Sequence, residues 1–220
     1  MIPMNPNFLD KLVDKSLTKE QLFEKVKHDF DLLPIVVHGM TSSKAAIRYG
    51  CGKVLMNLSE EYPEKMYTHM DFFIEMLDSK YRIITWQAMF IIANLTKVDK
   101  KKKFDEIFDK YCGFLHDEYM VTVANTVVNL GKIAKTKPYL IQKITKQLLD
   151  LENLKTTPHL TVECKRVIAE HTIDSFDMFF DKISDKKEVI YFVKKHTNST
   201  RNALKKKANE FLKKWDKSSG

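Results

Sequence analysis

A run at residues 83–95, I-I-T-W-Q-A-M-F-I-I-A-N-L, constrains this chain more than any other stretch. Wound as a helix it is apolar on nearly every side, and such a helix must be covered on more than one face. It is too short for a bilayer, which asks for about 20 apolar residues, and Gln87 and Asn94 interrupt it. A buried helix packed between layers follows. Six glycines and six prolines in 220 residues are too few for the turns of a β-sandwich or the phosphate loops of an α/β enzyme. The hydrophobic fraction of 44% excludes a disordered chain, and the length suits one domain or a short repeat array.

Cys51, Cys112 and Cys164 lie far apart with no C-x-x-C pair, so neither a disulfide framework nor a thiolate zinc site is expected. The start, M-I-P-M-N-P-N-F-L-D, lacks a charged leader followed by an apolar core. A cytoplasmic protein with no membrane span and no cofactor is the expectation. The formal net charge is +8. From residue 182 onward twelve basic residues face four acidic ones, which accounts for the whole excess.

Thr18 followed by Gln21 reads as a capping box that opens a helix toward Leu33, with a kink or restart at Pro34 and a stop at Gly39. Further helices are expected over 44–58, from Pro63 to Leu77, up to Leu95 behind an Asp78-Ser79 cap, and over 104–115 and 118–134. Pro138 opens one to Leu151, Pro158 one to about Phe180, and 186–196 with 200–215 make the last pair. Residues 1–17 form an N-terminal arm and 217–220 a disordered tail in this reading. Between them, 18–216 is one all-α domain of about five antiparallel helix pairs.

The second helices of three pairs end alike: M-N-L-S-E-E at Asn57, A-N-L-T-K-V at Asn94 and V-N-L-G-K-I at Asn129, spaced by 37 and 35 residues. Cys51, Ala88 and Val123 fall six positions before each Asn, slim residues where helices can cross closely. Two helices repeated at that period resemble HEAT or armadillo repeats. The resemblance implies a right-handed α-α superhelix whose second helices line the inner surface. Asp78 and Asp117 supply the Asp that the family carries at the inter-helix turn. In armadillo-type repeats the inner asparagines form a ladder for the backbone of an extended peptide, with a Trp four residues earlier; here those positions hold Lys53, Phe90 and Asn125.

The resemblance therefore implies a non-catalytic scaffold for a protein or peptide partner. Lys44, Arg48, Arg82, Asn94, Asn125, Asn129, Lys132 and Lys165 are its candidate contacts, as polar residues on the second helices. The alternative is nucleic-acid binding through Lys205, Lys206, Lys207, Lys213 and Lys214, which share the last helix. HEAT-like alkylpurine DNA glycosylases use an Asp flanked by tryptophans, and neither Trp86 nor Trp215 has that grouping. Cys112 and His116 stand at i and i+4, and Cys164 lies seven before His171, but two ligands do not hold a metal. No nucleophile elbow or Gly-rich phosphate loop is present in the sequence.

Overall fold

The computed structural model describes residues 8–216. The expected tail and the first seven residues of the expected arm lie outside the described residues. Among those described, structure is helical apart from one isolated bridge between Thr157 and Leu160. The chain divides into two compact units, Met1–Phe104 and Asp105–Gly220.

In the first unit a 3₁₀ turn at Phe8–Leu12 precedes α1 (Lys19–His28), whose capping box is complete: Thr18 accepts from the Gln21 amide and Gln21 accepts from the Thr18 amide. The helix stops earlier than Leu33 because the Asp29 carboxylate takes the Asp31 amide at 3.0 Å and turns the chain into 3₁₀. Then α2 (Leu33–Gly39) restarts with Pro34 in its first turn. The expected helix from Pro63 to Leu77 comes in pieces, α4 (Pro63–Met66) and α5 (Met70–Glu75), joined and ended by 3₁₀ turns. Against these first members lie α3 (Ala45–Glu61) and α6 (Arg82–Leu95), packed on each other. Ten of the fourteen α6 residues are buried, which answers the apolar run, and each large apolar side chain so covered contributes roughly 1.5–3 kcal/mol.

At the boundary lies α7 (Lys103–Glu106), and α8 (Phe108–Gly113) follows after a break at Ile107. The second unit continues with α9 (Met120–Thr136), α10 (Ile141–Leu149) and α11 (Val162–Asp177). It closes with α12 (Lys187–Lys194) and α13 (Asn202–Trp215). Here α11 is the centre, with α9 on one side and α13 on the other.

Four second helices begin by one device. The side chains of Ser42, Ser79, Asp117 and Ser199 accept the backbone amide two residues on, at 3.2, 3.2, 2.8 and 3.2 Å. The donating residues, Lys44, Tyr81, Tyr119 and Arg201, are extended, and helix begins with the next residue in each case. The short polar side chain closes a turn of its own and does not cap the helix, so each helix starts later than a Ser or Asp cap would place it. Only α11 among the second helices departs: Thr161 caps it directly, accepting from the Cys164 amide.

The second helices approach closely at two glycines. A Cβ on Gly52 would stand 1.9 Å from Gln87 Oε1, and Gln87 Nε2 donates to the Tyr49 carbonyl at 3.2 Å, tying α6 to α3. On α9 a Cβ at Gly131 would lie 3.0 Å from Ser175, whose hydroxyl donates to the Val127 carbonyl at 3.0 Å and ties α11 to α9.

Candidate partner-binding surface

Asn57, Asn94 and Asn129 set a common register. The residues eight before, four before and three after each Asn fall within a narrow arc at 100° per residue, so they share a helix face. In the first unit that face carries Tyr49, Lys53 and Glu60 on α3, and Trp86 and Phe90 on α6 with Lys97 just beyond its end. Its aromatics are half-buried and its charged groups exposed. In the second unit α9 presents Val121, which is 42% exposed, with half-buried Asn125 and Lys132. The eighth position is aromatic or apolar each time, and none of the nine residues is buried.

The asparagines themselves behave differently. Asn57 is exposed, whereas Asn94 is buried and donates to Ser59 Oγ at 3.0 Å. Asn129 is buried too and hydrogen-bonds the Tyr111 hydroxyl, which burial holds well above its ordinary pKa. Asn94 and Asn129 are thus internal ties and are not offered to a ligand. Arg48 is also withdrawn: its guanidinium donates to the Ser42 and Ser43 carbonyls at 2.6 and 3.1 Å and lies 3.6 Å over the Tyr81 ring. Its long side chain folds back to satisfy carbonyls of the turn that opens α3. Lys44 pairs with Asp10 at 2.7 Å, Lys165 donates to the Leu154 carbonyl, and Arg82 is exposed at the start of α6. Asn125 and Lys132 are the candidate contacts that the register face brings out. Sequence reasoning missed Tyr49, Trp86 and Val121, although the Asn spacing would have found them.

The basic last helix faces an acidic one. Arg201 bonds Glu170 and Glu163 at 2.8 and 2.9 Å, Lys207 pairs with Asp174, and Lys214 with Asp177 at 2.8 Å. The Trp215 indole also donates to Asp177, and Lys194 holds Asp216 at 2.8 Å. Hydrogen bonds from Arg201, then Arg166, hold the Glu163 carboxyl below its usual range. Two of the five lysines proposed for phosphate, half-buried Lys207 and exposed Lys214, are therefore engaged in ion pairs with α11. Lys205, Lys206 and Lys213 are exposed, with Lys206 only 3.8 Å from Glu210 on its own helix.

Among the described residues no three His, Cys, Asp or Glu side chains converge as a metal site, and no helix is long and apolar enough to cross a membrane. No family model and no curated protein sequence matches the chain. Solved structures do. It is similar to the designed armadillo repeat protein YIII(Dq)4CqI, with a TM-score of 0.59 and 16% identity over 96% of this chain and 94% of that one. A designed armadillo repeat protein, YIII(Dq.V1)4CPAF, in complex with peptide (KR)4 gives 0.60 and 15%, over 93% and 90%. One described as computationally designed for modular peptide recognition gives 0.58 and 17%, over the same shares.

Proposed function

Because this chain has an armadillo/HEAT-like repeat fold, we propose that it is a non-catalytic scaffold that takes an extended peptide segment of a protein partner on the register face of its second helices. The observation that carries this reading is the repetition of Tyr49, Trp86 and Val121 at one position of their helices, the first two half-buried and the third 42% exposed, where most apolar residues of these helices are buried. Within the first unit, Tyr49 on α3 and Trp86 with Phe90 on α6 offer partly exposed aromatic contacts in register on two packed helices, which suits an extended chain. Around them Lys53 and Lys97 outnumber Glu60, so the favoured peptide carries apolar residues interspersed with acidic ones. The solved neighbours designed for peptide recognition are consistent with it.

Selection of a random peptide library on the intact protein, followed by fluorescence anisotropy of an enriched peptide, tests the proposal. Trp86→Ala or Val121→Asp is expected to weaken binding about tenfold, as for a truncated interface anchor, with the melting temperature unchanged in Val121→Asp. In a Trp215→Phe background Trp86 is the only indole, and its emission should shift to the blue on binding. Affinity indifferent to both substitutions would refute the proposal. Binding of DNA instead, steeply weakened by salt and lost in Lys205→Glu/Lys206→Glu, would replace it with the nucleic-acid alternative.

A further inference from the structure

The second unit holds a cleft that the register face does not use. It lies where the turn Asp150–Asn153, the first half of α11 and the end of α12 meet, and it encloses about 490 Å³. That size suits a small organic ligand. Leu151, Ile168, Ala169 and Phe192 form a buried apolar floor, and Val162 stands 56% exposed at the mouth. The wall from α12 is short, eight residues and about 12 Å of helix against sixteen and about 24 Å in α11.

The rim is cationic. Lys165, Arg166 and Lys195 face a single lining carboxylate, Glu152, which holds Lys195 at 2.8 Å. Arg166 shares Glu163 with Arg201. Lys165 is the telling group: it is half-buried, bonds only the neutral Leu154 carbonyl, and has no carboxylate at ion-pair distance among the described residues. The two helix ends do not explain the field, since the positive end of α11 and the negative end of α12 oppose each other. Side chains decide its sign. His196, whose ring stands edge-on to Phe192 at 5.0 Å, is kept largely neutral at pH 7 by burial, which depresses its pKa, and can donate or accept a hydrogen bond.

We propose that this cleft binds a small amphiphilic carboxylate, with an aromatic or branched apolar body on the Leu151–Ile168–Phe192 floor and its anionic head on Lys165 beside Arg166 and Lys195. The charged lining groups come from the turn, α11 and the end of α12, around one apolar floor. A peptide main chain would bring an amide at every residue onto an apolar floor with no partners, and each amide so stripped of water carries a penalty. One anionic head and an apolar body match the lining, and the site stands independently of the peptide-binding reading.

The test is titration of the intact protein with 1-naphthoate, followed by ¹H–¹⁵N NMR, alongside the uncharged 1-naphthalenemethanol. Saturable shifts confined to the neighbourhood of Ile168, Ala169, Phe192 and His196 are expected, with the neutral analogue about tenfold weaker. Lys165→Met should weaken naphthoate about tenfold, whereas Glu152→Gln should tighten it severalfold by releasing Lys195 from its competing carboxylate. Equal binding of the neutral analogue, shifts elsewhere, no saturation, or weaker binding in Glu152→Gln would each overturn the proposal. If Lys165→Met loses its fold with the Leu154 contact, the Glu152→Gln and neutral-analogue arms still decide. Preference for the peptide acetyl-Glu-Phe-Glu-amide over naphthoate would assign the cleft to a partner chain instead.

Discussion

Gly52 is a small residue with a large neighbour. A methyl group there overlaps the Gln87 amide that reaches the Tyr49 carbonyl, so Gly52→Ala should destabilise the protein by about 1–3 kcal/mol despite its better helix propensity. Adding Gln87→Ala should return part of that loss, and urea unfolding of the four variants would measure the coupling. Thiol titration addresses another set of buried residues. Burial pushes Cys51 and Cys112 up to about 12, so at pH 8 each is roughly one part in ten thousand thiolate. One thiol per native chain, half-buried Cys164, should react promptly with Ellman's reagent, and three in denaturant. At this scale the sequence was only partly legible. The Asn spacing marked the register, but side-chain direction decides which member of a helix turn is seen by a partner, and spacing alone did not tell Asn94, turned to Ser59, from Asn125.

Elements were easier to read where the apolar pattern was long. The run that became α6 and the capping box of α1 were both visible. The broken first helices were not: a stripe such as Phe104, Phe108, Tyr111 and Leu115 keeps its faces through the single turn residue Ile107 and into the 3₁₀ turn Phe114–His116, so periodicity reports neither. Nor were the late helix starts, since Ser79 or Asp117 satisfies a turn amide as readily as a helical one. The pairing of α11 with α13 was equally hidden, because its acidic and basic residues lie some 31–38 positions apart. Glu170 is its least exposed acid, with 14% of the side chain accessible. A double-mutant cycle on Arg201→Gln and Glu170→Gln should give a coupling of about 1 kcal/mol, smaller in 1 M salt.

For the whole molecule the acid limb of stability follows from two histidines. His69 in the first unit and His196 in the second have pKa values lowered by burial. The unfolded chain then binds protons more readily than the folded one, so their contribution is fully present above the ordinary pKa of 6.5 and is lost as pH falls through it. Melting temperature should fall below pH 6.5, and His69→Gln with His196→Gln should flatten that slope. The fold as a stack of helix pairs was legible because the period repeats; the division into two compact units was not, since no glycine-rich or proline-rich linker marks it. The acidic and basic rows of α11 and α13 carry one more consequence. Leu204, Ala208 and Phe211 recur at nearly every turn, so the greasy side of α13 would slide along its neighbour by one turn, about 5.4 Å, with little objection. Arg201, Lys207 and Lys214 meet their carboxylates together at only one setting, and so the charges act as a vernier that fixes the final helix lengthwise, a role distinct from how firmly they hold it.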